Sequence, residues 1–165
     1  ALLPAVKLLV LLRDPVRRAY SHYWHERARG RETLEFEDAI AAEPARISAA
    51  EAGLADGSIA RSADHQRFSY LARGRYAQQL ERWLALYPRE RLHVVRFEDL
   101  VKDPLGGLNE TLAFLGLPAA SRVDLEARNT RRYPPLSEPT AQRLREYFEP
   151  HNRHLERLLG RAMGW

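Results

Sequence analysis

Arg13, Arg17 and Ser21 lie in the stretch VLLRDPVRRAYSHYW, residues 10–24, and their types and spacing suit the binding of a phosphate. Arg13 closes an apolar run, and Asp14-Pro15 then breaks the chain before a helical pattern begins. A strand that feeds directly into a helix presents unpaired backbone N–H groups and the positive end of the helix dipole, both of which attract an anion. Ser21 follows Arg13 by eight residues, and Arg17 precedes Ser21 by four, so Arg17 and Ser21 share a helix face. Two readings stand at this level. The arginines and the serine grip a phosphate, or Arg17 and Arg18 are solvated helix charges and Ser21 is an incidental small residue.

Several elements must position these groups. Val6 to Leu12 is short and apolar, as expected of a strand buried on both faces in a parallel sheet. Asp14 suits an N-cap and Pro15 a first helical position; Val16, Ala19, Tyr20, Tyr23 and Trp24 form the buried stripe, and Gly30 ends the helix. Short helices are expected over Phe36 to Ile40 and Pro44 to Ala55, and a surface loop over Asp56 to Ser69. A helix over Tyr70 to Tyr87 carries Tyr76, Leu80, Trp83, Leu84 and Tyr87 on one face, and a second buried strand spans Leu92 to Phe97. Asp103-Pro104 opens a further helix that closes at Gly116. Leu117 to Ser137 is a long connection carrying Asn129, Arg131, Arg132 and Tyr133, and loops of that length are usually functional or disordered. The last helix begins at Ser137, with a break expected at Pro150. Strands alternating with helices imply a layered α/β domain with a parallel sheet, mostly helical in this portion.

Length and composition set the outer limits. The 165 residues suffice for one domain, and the 45% apolar fraction is ordinary for a globular core. A net charge of +4 fits an anionic small ligand, but without an aromatic-basic cluster it does not point to nucleic acid. The 26 basic residues include only two lysines, Lys7 and Lys102; either planar arginine contacts to phosphate or a GC-rich genome accounts for that skew. The absence of cysteine excludes disulfides, thiolate chemistry and cysteine zinc sites, and favours a cytoplasmic setting. No apolar run approaches membrane-span length, so no membrane partner is expected. His22/His25 and His151/His154 are spaced i, i+3, but no third ligand stands at a persuasive distance and no metal is expected. Trp24, Trp83, Tyr76 and Phe148 read as core residues; Glu98-Asp99 either line an active cleft or cap the turn after the second strand, the capping role being favoured.

The run Arg13-Asp14-Pro15-Val16-Arg17-Arg18-Ala19-Tyr20-Ser21 resembles the 3′-phosphate-binding segment of sulfotransferases that use 3′-phosphoadenosine 5′-phosphosulfate (PAPS). Gly74-Arg75-Tyr76 with Leu80 and Trp83, Leu92 to Leu100 with Asp103-Pro104, and Phe114-Leu115-Gly116-Leu117 are similar to the middle of that family. Asn129 to Pro134 resembles its nucleotide-covering loop, with Asn129-Thr130 where a Lys-Gly pair often stands. The tail from Leu144 to Trp165 looks like the end of the heparan-sulfate type and its bacterial relatives.

The resemblance implies a P-loop-NTPase-like domain over residues 1–165, incomplete at its amino-terminal side, because the 5′-phosphosulfate loop and the usual catalytic base lie upstream of the Arg-Asp-Pro segment in the family. It implies transfer of a sulfuryl group from PAPS to a hydroxyl or amine acceptor, a carbohydrate or small metabolite, leaving adenosine 3′,5′-bisphosphate (PAP). Arg13, Ser21 and Arg17 would hold the 3′-phosphate, with Arg131, Arg132 and Tyr133 closing over the nucleotide. The catalytic base is not assigned, and this chain alone is expected to lack part of the machinery. The alternative is an inactive sulfotransferase-like nucleotide-binding or interaction module.

Overall fold

The structure, a computed structural model, describes residues 3, 5–124 and 132–165. The chain forms two compact units. The first comprises Ala1–Asp14, Tyr76–Arg132 and His154–Gly164; the second comprises Pro15–Arg75, Tyr133–Arg153 and Trp165.

The first unit is built on two parallel strands, β1 (Leu8–Leu12) and β2 (Leu92–Arg96), paired from Leu8 with Leu92 to Leu12 with Arg96. Parallel strands need a crossover connection, and 79 residues separate these two. β1 begins two residues later than expected, and Phe97 belongs to the following helix rather than to β2. Successive strand residues point to opposite faces, and here the faces differ. Leu12 is buried, whereas Leu9 and Leu11 are 47% and 56% exposed, so among the described residues the sheet is covered on one face, not on both as expected. α4 (Tyr76–Leu84) lays Tyr76, Ala77 and Leu80 into the interior but leaves Trp83 47% exposed, which corrects its reading as core.

α5 (Phe97–Lys102) leads into α6 (Pro104–Leu115), whose ends follow from sequence. The Asp103 carboxylate accepts the Gly106 N–H at 2.9 Å, Pro104 occupies the first turn where no N–H is needed, and Gly116 takes the left-handed conformation that ends the helix. Lys7 donates to the Phe114 carbonyl at 2.6 Å and so satisfies a carbonyl in the last turn of α6.

The second unit packs α1 (Pro15–Arg27) and α2 (Phe36–Asp56) with the first part of α7 (Glu138–Leu159). Val16, Ala19 and Tyr23 of α1, Phe36, Ala39 and Ile40 of α2, and Leu144 and Phe148 of α7 meet around Tyr70. α2 is a single helix where two short ones were expected. Pro44 removes only one backbone bond from it, and the buried face carrying Phe36, Ala39, Ile40 and Ile47 holds the helix together through that gap. Pro150 likewise lies inside α7, with Phe148 and Leu155 fully buried on either side of it. α3 (Ala63–Phe68) stands where a surface loop was expected, started by the Ser62 hydroxyl accepting the His65 N–H at 3.2 Å. The stretch before α4 holds a single 3₁₀ turn over Ala72–Gly74 rather than the expected α-helix.

Two buried carboxylates tie this unit together. Glu43 accepts the N–H groups of Leu71 and Ala72, both at 2.7 Å, and burial raises its pKa. Glu32 accepts from Thr33, Leu34, the Tyr70 hydroxyl and Arg46.

Candidate functional site

In the first unit the chain leaves β1 at Arg13, and three groups from distant sequence converge there. The Tyr76 hydroxyl donates to the Arg13 carbonyl at 2.8 Å. The Asp14 N–H donates to Glu98 Oε1 at 3.0 Å. The Arg13 guanidinium lies over the Phe97 ring, 5.2 Å from its centroid, as a cation–π pair. Arg96, the last residue of β2, faces Glu98 at 3.5 Å and Asp99 at 3.0 Å. Glu98 and Asp99 therefore hold the Asp14 backbone amide and the Arg96 guanidinium, structural tasks other than the capping of the next turn read from sequence. Tyr76 is buried as expected, but its hydroxyl does a task that periodicity did not reveal.

In the second unit α1 starts at Pro15 with no acidic residue in its first turn. Ser21 lies partly buried on this helix and Arg17 is exposed. Arg18 donates to the Ser69 and Tyr70 carbonyls, which makes it a structural tie. Next to Ser21, burial and then the Arg18 and Arg73 guanidinium groups push the His22 imidazole down to about 3, so it is neutral at pH 7. Tyr133 stacks on Trp24 with centroids 5.8 Å apart and 8° between planes, and meets Tyr20 edge-on. The Tyr20 hydroxyl donates to Pro134 O at 3.0 Å, which anchors the chain directly after Tyr133.

Arg132, in the first unit, is exposed. Arg131, with Asn129 and Thr130, lies outside the described residues. The structure brings together Arg13, Phe97, Glu98 and Tyr76, and separately Trp24, Tyr20 and Tyr133. Of the first group only Arg13 had been assigned to ligand binding. The contacts of Glu98 and Tyr76 span 84 and 63 residues of sequence, a range at which local patterns carry no signal.

A cavity of about 250 Å³ beside β2 is lined by Arg89, Arg96 and Arg161 together with Asp99, Asp103 and Glu110. Arg89 and Arg161 donate to the Leu92 and Val94 carbonyls on β2, and the balance of charges does not favour an anion there. Among the described residues no group of three or more His, Asp or Glu side chains could hold a metal ion. Among them, too, no helix is long and apolar enough to cross a membrane.

Comparison with known proteins agrees with this frame. A family model described as a sulfotransferase domain matches residues 1–152. A bifunctional heparan sulfate N-deacetylase/N-sulfotransferase of Drosophila melanogaster is 34% identical over 182 residues, covering 96% of this chain and 16% of that protein. A mouse heparan sulfate glucosamine 3-O-sulfotransferase 3B1 is 28% identical, covering 96% of this chain and 43% of that protein. The crystal structure of a sulfotransferase from Alicyclobacillus acidocaldarius superposes with a TM-score of 0.71 at 31% identity, over 96% of this chain and 56% of that one. The chain thus spans less than two thirds of each of these relatives.

Proposed function

The chain belongs to the sulfotransferase domain family, with the α/β fold and small parallel sheet of its structural relative, and on that premise we propose that it serves PAPS-dependent sulfuryl transfer to a hydroxyl or amine, with a carbohydrate as the acceptor class. In that reaction the bond from sulfur to the phosphate oxygen of the donor breaks, a bond from sulfur to the acceptor oxygen or nitrogen forms, the acceptor loses a proton, and PAP departs. The carbohydrate class is supported by relatives whose names place them on heparan sulfate.

The observation that carries this reading is Arg13, fixed at the end of β1 in the turn that feeds α1. A planar, permanently charged guanidinium with two-pronged geometry suits a phosphate, and the α1 start adds the favourable end of a helix dipole. These residues fit the nucleotide's 3′-phosphate, which PAPS and PAP carry and 5′-AMP lacks. Arg13, Ser21 and Arg17 would hold that phosphate, and Arg131, Arg132 and Tyr133 the covering side of the nucleotide. The pairing of Arg13 with Ser21 on one ligand rests on their eight-residue spacing. Catalysis of this kind is positioning and charge stabilisation, so the contribution of these residues is to orient the donor for in-line transfer. A bacterial source and a cytoplasmic setting, expected from the tail and the lack of cysteine, complete the reading.

Calorimetric titration with PAP beside 5′-AMP tests it. Preferential binding of PAP is the expected result; equal affinity for the two, or binding of neither, overturns the assignment. Incorporation of labelled sulfate from PAPS into a glucosamine-containing acceptor then separates transfer from nucleotide binding alone.

A further inference from the structure

The Arg13 carbonyl and the Asp14 N–H are the two polar ends of one peptide unit, and each is held by a side chain from elsewhere in the first unit. Tyr76 takes the oxygen at 2.8 Å and Glu98 takes the N–H at 3.0 Å. A planar trans peptide has only soft rotations on either side of it. Pinning its two opposed polar atoms therefore sets the direction in which the chain leaves β1 and the origin of the Arg13 side chain. Phe97 then supports the guanidinium itself at 5.2 Å.

Register explains why these groups meet. The ladder ends with Leu12 opposite Arg96, so the next residues in step are Arg13 with Phe97 and Asp14 with Glu98. Where backbone pairing stops, side chains of the adjoining segment take over. The charge of Glu98 is shared with Arg96 at 3.5 Å, and Arg96 also holds Asp99. The carboxylate is thereby directed to a backbone amide and a neighbouring arginine.

We propose that Glu98 is a positioning residue for the 3′-phosphate grip, acting through the Arg13–Asp14 peptide with Tyr76 and Phe97 as its partners. This rests on the reading of Arg13 as the phosphate-binding arginine. It has a consequence for the ligand: the Asp14 amide is engaged by Glu98 and Pro15 has no N–H, so neither of these two positions offers an amide to the phosphate.

The test compares Glu98→Ala, Glu98→Gln and Tyr76→Phe with the unaltered chain. Glu98→Ala should weaken PAP by about tenfold, about 1.4 kcal/mol, with 5′-AMP unchanged. Glu98→Gln, whose amide oxygen still accepts the Asp14 N–H, should restore most of the loss. Tyr76→Phe keeps the ring and removes only the hydroxyl, and should lower the PAP preference in the same direction; it serves where Glu98→Ala fails to fold. A PAP to 5′-AMP ratio unchanged in Glu98→Ala and Tyr76→Phe overturns the inference. A readout free of nucleotide is the upfield ring-current shift of the Arg13 side-chain protons, which Phe97→Leu should abolish and Glu98→Ala should diminish. If the unaltered chain binds neither nucleotide, the functional reading fails by itself. The Arg13 shift then decides the positioning role: unchanged in Glu98→Ala, it overturns that role.

Discussion

Gly74 and Phe148 stand so close in the second unit that a Cβ on residue 74 would lie 2.6 Å from Phe148 Cε1 and 2.8 Å from Cζ. The Pro15 Cβ would be 3.1 Å away on another side, so an added methyl has little room to turn into. Phe148 is fully buried and belongs to the core around Tyr70. Gly74→Ala should therefore overpack this site and destabilise the chain by about 1–3 kcal/mol. Urea denaturation measures it, and an unchanged midpoint would show that the ring can move aside at no cost.

Acid should weaken the second unit through His22. The folded imidazole is held down to about 3 by burial and by Arg18 and Arg73, with His25 adding in the same sense, against an ordinary value of 6.5. Between those values the unfolded chain binds a proton that the folded chain does not, so stability falls as pH falls. The slope from this residue is at most about 1.4 kcal/mol per pH unit, and it vanishes above 6.5. Denaturation of the unaltered chain and of His22→Gln at pH 7 and pH 5 isolates the effect: the difference between the two proteins should change with pH in that direction.

Arg13→Ala should cost the chain its preference for PAP. A charge-assisted hydrogen bond contributes about 1.5–3 kcal/mol, so the affinity for PAP should drop by about ten- to a hundredfold. 5′-AMP, which lacks the phosphate concerned, should bind no worse. Equal losses for both nucleotides in calorimetry would refute the role given to Arg13.

Glu43 holds the entry to the Ala72–Gly74 turn by accepting two successive backbone amides while itself 3% exposed. Glu43→Ala leaves both amides without that acceptor and should destabilise the chain by about 1–3 kcal/mol for each one that water does not reach. Amide hydrogen exchange at Leu71 and Ala72 should accelerate in the variant. Unaltered exchange there would mean that other groups hold the turn.

Signals that act within one or two helical turns could be read directly. Asp103-Pro104 and Gly116 bound α6, Gly30 follows α1 in the left-handed conformation, and the apolar runs mark β1 and β2 to within two residues. The family resemblance that proposes Arg13 and Ser21 for the phosphate is likewise a local signal, an ordered motif. Where local rules compete with burial, burial decided: α2 continues through Pro44 because its apolar face outweighs one missing backbone bond, and Trp83 lies half exposed although it shares a helical stripe with buried Leu80. The surroundings of Arg13 belong to tertiary structure alone. Phe97 and Glu98 reach it because two strands 79 residues apart pair in one register, and no interaction shorter than that pairing distinguishes a Glu98 that caps its own helix from one that sets the course of another strand.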